Sequence, residues 1–276
     1  RLLRSGRSRL LGVVFGIQHD FHGDLVTDLY TAARETGYEV ALSAVTPGRD
    51  EREATAGLLQ DRCEALILLG PQQPTASLVR LATRLPVIVL ARGVRHAAVD
   101  VVRTADAEGL HQAVDHLVRL GHRNIAHIDG GRAPGAAERR RGYRDALRVH
   151  GLDRYARIVP AGLTEEDGAV AAQVLLDDPP TAVTVFNDRC ATGVLDVVAR
   201  HGRKVPGDLS VVGYDDSRLA RLAHVDLTTI AQDTGTMTRL AVRRAIDRIE
   251  GTAVARREVV VPPRLVVRGT TGPPRH

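Results

Sequence analysis

The chain has 276 residues, of which 43% are hydrophobic and 26% charged, and its formal net charge is +5 at pH 7. This length exceeds one typical domain and suits two lobes of ordinary size. Two cysteines, Cys63 and Cys190, exclude a disulfide framework, and the absence of an apolar stretch near the roughly 20 residues of a membrane span excludes a transmembrane protein. The positive charge is almost all arginine, which indicates either attraction to polyanions or the codon bias of a GC-rich genome.

Strand and helix patterns alternate from the start of the chain. The predicted elements of the first part are strand 10–15, helix 24–37, strand 38–45, helix 51–62, strand 65–69, helix 75–85 and strand 86–91. This repeated order predicts a parallel, doubly wound sheet. Residues 92–106 have no helical pattern, and we interpret them as a crossing segment.

A second series of elements follows the crossing segment. Its predicted members are helix 108–120, strand 124–129, helix 138–151, helix 165–178, strand 181–186, helix 190–202, strand 209–214, an apolar run at 225–231, helix 236–251 and short strands at 258–262 and 264–269. Two such series predict an α/β protein of two lobes. A cleft between lobes is a common place for a ligand.

Polar side chains follow three apolar runs of the second series. The pairs are Asn187 with Asp188, Asp215 with Asp216, and Gln232 with Asp233. Because ligands of open parallel sheets bind beyond the carboxyl ends of the strands, these residues predict a small-molecule site. The alternatives are a helix cap for Asn187 or Asp188 and a turn for Asp215 and Asp216. One cap suffices for a helix, so the other member of that pair can face a ligand.

Three successive arginines, Arg139, Arg140 and Arg141, lie on the predicted helix 138–151. Such a run is usually a solvated helix face. Three consecutive residues cover about 300° of a helix, however, so they cannot all point the same way. We therefore expect one of them to be a charged donor in the cleft.

The sequence has none of the common catalytic motifs, neither a GxSxG elbow, nor a GxxxxGK[ST] loop, nor an HExxH helix. A cluster at 19–22, His-Asp-Phe-His, follows the first strand, but adjacent loop residues rarely bind one metal ion without a distant third ligand. We therefore expect neither an enzyme nor a metal or cofactor site.

Six runs of the chain resemble, in order, the effector-binding core of the lactose-repressor (LacI/GalR) family of bacterial transcription regulators. They are LGHRNIAHIDGG (120–131), ERRRGYRDAL (138–147), PTAVTVFNDRCATGVL (180–195), VPGDLSVVGYDDS (205–217), LTTIAQD (227–233) and VVPPRLVVRGTT (260–271). The resemblance implies the fold of type I periplasmic binding proteins, with two doubly wound parallel-sheet lobes joined by three crossovers. It places the amino-terminal lobe at 9–103 plus 234–261 and the carboxy-terminal lobe at 104–233 plus 262–276.

The resemblance also implies effector-binding residues. They fall on Arg139, Asn187, Asp215 and Gln232, with Phe21 at the first-loop position and Arg92 after the last strand of the amino-terminal lobe. A family position that often holds an aromatic residue falls near Leu163.

The first residues resemble the end of the family's hinge helix, so 1–8 are assigned to a hinge remnant and linker. Leu3 falls on the position of the leucine that wedges into the DNA minor groove, and the alternative for Leu3 is a frayed terminus. The family's helix-turn-helix would precede this segment and is not among these residues.

The resemblance predicts a cytoplasmic, homodimeric, ligand-responsive regulator, most often a repressor, that senses a small molecule such as a sugar and controls binding to operator DNA. The alternative is a periplasmic sugar-binding protein of the same fold. The basic RLLRSGRSR start argues against that alternative.

Overall fold

The computed structural model describes residues 7–254 and 256–275, and Leu3 lies outside them. One unit comprises the chain up to Thr104 together with Asp233–Val261, and the other comprises Ala105–Gln232 together with the chain from Pro262 onward. The chain thus passes three times from one unit to the other.

In chain order the strands and helices are β1 (Leu10–Gly16), α1 (Asp20–Glu35), β2 (Glu39–Val45), α2 (Glu51–Gln60), β3 (Ala65–Leu69), α3 (Thr75–Ala82), β4 (Val87–Leu90), β5 (Asp100–Thr104), α4 (Asp106–Arg119), β6 (Ile125–Asp129), α5 (Ala136–Val149), β7 (Arg157–Pro160), α6 (Glu165–Leu176), β8 (Ala182–Val185), α7 (Asp188–Arg200), β9 (Ser210–Asp215), β10 (Thr228–Ala231), α8 (Thr234–Ile249), β11 (Glu258–Val261) and β12 (Arg264–Val266).

The first unit is built on a six-stranded sheet with the strand order β11-β5-β4-β3-β1-β2 and only parallel pairs. Helices α1 and α8 cover one face through Leu25, Leu29 and Met237, and α2 and α3 cover the other through Leu58 and Leu78. All five residues of β3 are buried. A continuous apolar run is what a parallel strand needs when helices cover both of its faces.

The second unit has a sheet in the order β12-β10-β9-β8-β6-β7, in which only β12 is antiparallel to its neighbour. One face packs against α6 and α7, and the other packs against α4 and α5. The order sets the carboxyl ends of β10, β9 and β8 side by side. These are the three strand ends that carry the predicted polar residues.

The structure corrects three predictions about local elements. Helix α1 begins at Asp20 and not in the region of Asp24, so Phe21 lies in the first helical turn and not in a loop. Its side chain packs into the core with Leu25, which favours helix over loop despite the missing side-chain cap. Part of the supposed crossing segment forms β5, and the short strand β7 is absent from the sequence prediction.

Both omitted strands have only two apolar residues between charged or proline residues, DVVRT in β5 and RIVP in β7, so neither shows a continuous apolar run in the sequence. Across the described ranges, every helix is too short or too polar to cross a bilayer.

Candidate functional site

Three neighbouring strand ends of the second unit bring the predicted polar residues together. Asp215 is the last residue of β9, and its Oδ1 accepts a hydrogen bond of 2.7 Å from Nε2 of Gln232, which follows β10. The backbone of Asp215 has φ +114°, a strained value for a residue with a side chain, and Asp216 has φ +54°. Strain of this kind is concentrated at functional sites, so it marks this strand end as a candidate.

Arg139 reaches the same cluster from α5 and is 5% exposed. Its Nε donates to Oδ1 of Asp106 at 2.8 Å, and its Nη1 donates to the carbonyl of Phe186 at 2.5 Å. Its Nη2 lies 3.8 Å from Oδ1 of Asp215. The guanidinium centre is 3.5 Å from the ring centroid of Tyr214 and 4.5 Å from that of Phe186. The cation is therefore held between two rings and two carboxylates.

The three successive arginines have three different environments. Arg139 is buried, Arg141 is exposed, and Arg140 lies between these extremes. Arg140 donates to both carboxylate oxygens of Asp129 at 2.7 Å. Helical geometry thus separates the three side chains, and only Arg139 joins the Asp215 cluster.

A glycine permits the approach of α5 to α4. A Cβ added at Gly142 would lie 2.4 Å from the backbone oxygen of Ala107, so any side chain at this position would force the helices apart. This close contact brings Arg139 to Asp106, the first residue of α4. The glycine of the R-x-x-G-Y pattern therefore has a packing role beside the arginine's polar one.

Asn187 and Asp188 are both hydrogen bonded within the second unit. Asn187 caps α7, since its Oδ1 accepts from the backbone N–H of Cys190 at 2.7 Å, and its Nδ2 donates to the carbonyl of Leu163 at 3.1 Å. Asp188 is fully buried, and it accepts from the backbone N–H of Ser217 and from the hydroxyl of Thr229. The cap is thus Asn187 itself, and its amide keeps one N–H beyond the bond to Leu163.

The cluster at these strand ends, which we call the Arg139 cluster, contains one guanidinium, that of Arg139, and three carboxyl groups, those of Asp106, Asp188 and Asp215. Burial raises the pKa of Asp215, Arg139 opposes that rise, and Asp188 adds to it. Burial also raises the pKa of Asp188 against the hydrogen bonds from Thr229 and Ser217. The pKa of Asp106 is raised by burial too, and its ion pair with Arg139 partly offsets the rise. These strand ends therefore offer many acceptors, and the single guanidinium is already paired.

Phe21 and Arg92 belong to the first unit. Phe21 is 8% exposed and is part of the core beneath α1. Arg92 donates through Nη1 to the carbonyls of Pro71 and Gln73, at 2.6 and 2.8 Å, and so holds the loop after β3. Both residues have these contacts within the first unit, and their contact with an effector stays a prediction.

The 19–22 cluster lies at the start of α1. His22 accepts a hydrogen bond from the backbone N–H of Gly16, and the ring of His19 stacks on it at 4.5 Å. Within 7–254 and 256–275, no group of three His, Cys, Asp or Glu side chains is arranged to hold a metal ion.

Asp106 is the site residue that sequence reasoning misses. The sequence analysis includes it at the end of the crossing segment, whereas it begins α4 directly after the buried strand β5. The signal that could have found it is the one used for the other positions, a polar residue between a strand and a helix. The strand before Asp106 has only two apolar residues, Val101 and Val102, so the sequence does not predict it and the signal is lost.

Comparisons with known proteins agree with this architecture. A family model described as a periplasmic binding protein-like domain matches residues 114–271. The HTH-type transcriptional regulator DegA of Bacillus subtilis is 30% identical over 280 residues, which cover 98% of this chain and 83% of DegA.

Two solved structures extend the likeness to the whole fold. A LacI transcriptional regulator from a Rhodococcus species is 54% identical with a TM-score of 0.93, over 96% of this chain and 98% of that one. A LacI family regulator from Enterococcus faecium with bound ribose is 26% identical with a TM-score of 0.87, over 96% of this chain and 99% of that one. These relatives are transcriptional regulators and not enzymes.

Proposed function

The chain belongs to the LacI family of transcriptional regulators, and from this premise we propose that the Arg139 cluster of the second unit binds an uncharged sugar as the effector. The observation that carries the proposal is the set of adjacent strand ends with Asn187, Asp215 and Gln232 beside a buried arginine. Ligands of parallel sheets bind at this edge.

The charges of the cluster support the choice of an uncharged effector. Sugar hydroxyls can donate to the oxygens of Asp215 and accept from the remaining N–H groups of Arg139 and Asn187. A phosphorylated or carboxylated ligand would bring a further negative charge to three buried carboxyl groups, Asp106, Asp188 and Asp215. Arg139 is already paired with Asp106 and offers such a ligand little compensation. The ribose in the Enterococcus faecium relative is an uncharged sugar.

We further propose that sugar binding controls operator DNA through a coupling free energy between the effector site and a linked helix-turn-helix. The name of the DegA relative carries the designation HTH-type. The protein would act in the cytoplasm as a homodimeric repressor on a pseudo-palindromic operator, since a two-fold dimer matches two half-sites. The regulator relatives favour this function over that of a periplasmic binding protein.

A thermal-shift screen tests the effector proposal. The purified chain is heated with ribose, arabinose, galactose, glucose and cellobiose, and with ribose 5-phosphate and glucose 6-phosphate. A ligand that binds only the folded state raises the melting temperature. We expect a shift with at least one uncharged sugar and none with its phosphate, and a shift with phosphorylated sugars alone would contradict the proposal.

A pair of variants locates the response. Asp215→Asn keeps an acceptor for Gln232 but removes the carboxylate, and Asp177→Asn removes an exposed carboxylate of the same unit. Loss of the shift in Asp215→Asn but not in Asp177→Asn would support the site.

A further inference from the structure

An open groove of about 750 Å³ runs between α2 and α3 on the first unit. Helix α2 lines it with Arg52, Ala56 and Leu59, whose spacing puts them on one helix face. The two helices follow the parallel strands β2 and β3, so they run in the same direction. The groove therefore has an amino end and a carboxyl end shared by both helices.

The carboxyl half of the groove has an apolar floor. Leu59 of α2 and Leu81 of α3 are half-buried, and each packs on the core cluster of the sheet with the rest of its side chain in the groove. Ala56 is exposed beside them. The core thus continues to the surface at this point, where an apolar ligand could cover it.

Two arginines line the groove beside this apolar floor. Arg80 lies in the last turn of α3 and Arg84 in the turn that follows the helix, and both are exposed. Arg80 donates to the hydroxyl of Ser77 at 3.0 Å. In the part of the chain that the structure describes, neither guanidinium forms an ion pair, although most of the salt bridges found there involve arginine.

The acidic groups of the groove lie at its amino end and are already bonded. Asp50 caps α2 by accepting from the backbone N–H of Glu53 at 2.8 Å. Glu51 accepts from the backbone N–H groups of Gln72 and Gln73, at 2.6 and 3.0 Å. The carboxylates of the groove therefore lie at its amino end, together with Arg52, and the unpaired Arg80 and Arg84 adjoin the apolar floor.

We propose that this groove is a second ligand site, which takes an organic anion with an apolar body. The carboxylate, sulfonate or phosphate group lies between Arg80 and Arg84, and the apolar part covers Ala56, Leu59 and Leu81. Guanidinium groups suit such anions because their N–H donors match the anion oxygens. The volume lies in the range of about 300–1,000 Å³ that small-molecule sites occupy.

The size of the groove favours a small molecule over a partner helix. Helix α3 has eight residues, which is about 12 Å of helix at 1.5 Å per residue. A wall of that length accommodates a ligand of two or three rings or a medium acyl chain. The site belongs to the first unit, whereas the Arg139 cluster belongs to the second, so the two proposals stand independently.

A matched pair of fluorescent dyes tests the proposal. 8-Anilinonaphthalene-1-sulfonate has the anionic group, and N-phenyl-1-naphthylamine has the same rings without it. We expect saturable binding of the sulfonate to the wild-type chain, with Kd at least ten-fold higher in Arg80→Gln/Arg84→Gln and binding of the neutral dye unchanged. The control Arg34→Gln/Arg144→Gln removes two exposed arginines from α1 and α5 and should retain wild-type affinity for both dyes.

A second variant tests the apolar floor. Ala56→Trp fills the groove from an exposed position and should abolish binding of both dyes, with the far-ultraviolet circular dichroism unchanged. Equal sulfonate affinity in the Arg80→Gln/Arg84→Gln variant and the wild type would overturn the proposal. The proposal would also be overturned if Arg34→Gln/Arg144→Gln weakened sulfonate binding by the same factor, because the effect would then depend only on the net charge of the chain. The proposal would also be contradicted if a sugar from the thermal-shift screen displaced the sulfonate dye, or if dimerisation of the chain released the dye. Either result would place the dye outside this groove.

Discussion

The ion pair between Arg139 and Asp106 makes a quantitative prediction about stability. Arg139→Met removes a pair at 2.8 Å, a hydrogen bond to the carbonyl of Phe186 and the contact with the ring of Tyr214, and it leaves Asp106 buried. Breaking a buried pair from one side destabilises proteins by about 3–5 kcal/mol. We expect a loss toward the lower end, about 3 kcal/mol, because the raised pKa of Asp106 lets this carboxyl take up a proton instead of remaining charged.

The companion variant Asp106→Asn should lose less stability than Arg139→Met. Arg139 keeps Asp215 as a partner 3.8 Å away, so we expect a loss of about 2 kcal/mol. The double variant Arg139→Met/Asp106→Asn removes both charges of the pair, so neither is left buried without its partner. Its loss of stability should be smaller than the sum of the two single losses by about 1–2 kcal/mol. Arg141→Met, at the exposed neighbour of the same helix, should stay within about 0.5 kcal/mol of the wild type.

Urea denaturation followed by far-ultraviolet circular dichroism measures these differences, with the transition of each unit fitted separately if two appear. A loss below about 1 kcal/mol in Arg139→Met, or strict additivity in the double variant, would refute the idea that Asp106 is the principal partner of Arg139.

The remaining predictions concern histidine titration, helix packing and capping. Burial lowers the pKa of His127 to about 4, whereas the same side chain in the unfolded chain has a pKa of about 6.5. The stability that depends on the neutral His127 is therefore fully present above pH 6.5 and is lost as the pH falls toward 4. Between pH 7 and pH 5 we expect His127 to account for about 2 kcal/mol of this loss of stability. Urea denaturation at each pH should show that this part of the loss disappears in His127→Leu and remains in His224→Gln, a control at an exposed histidine. Gly142→Ala should destabilise the second unit by about 1–3 kcal/mol because its Cβ meets the backbone of Ala107, whereas Gly23→Ala in α1 has open space and should be neutral or stabilising in thermal melts. Asn187→Ala should lose about 1 kcal/mol with the cap of α7, and an unchanged melting temperature would contradict that role.

Sequence reasoning succeeds where an apolar run is continuous or a pattern is repeated. The buried runs of β3, β8 and β9 and the amphipathic helices predict the doubly wound sheets, and the comparisons confirm the family fold. The polar residues at the ends of β9 and β10 are neighbours for a reason that the sequence also contains, because parallel order sets these ends together. The arginine that faces the cluster followed from helical geometry and the family pattern.

The rest depends on contacts distant in sequence. Asp106 pairs with Arg139 across 33 positions, and only the close approach at Gly142 makes that pair possible. The choice of Asn187 over Asp188 as the cap depends on Ser217 and Thr229, which hold Asp188 elsewhere. The burial of Phe21 depends on the core beneath α1, which includes residues distant in the sequence such as Met237.

Titration calorimetry tests the central claim, that these strand ends bind an uncharged sugar, most directly. The sugar with the largest thermal shift is titrated into the wild type, Asp215→Asn and the control Asp177→Asn. The account predicts that Kd rises about 10- to 100-fold in Asp215→Asn, as expected for a lost charge-assisted hydrogen bond, and stays unchanged in the control. Equal affinity in the wild type and Asp215→Asn would contradict it.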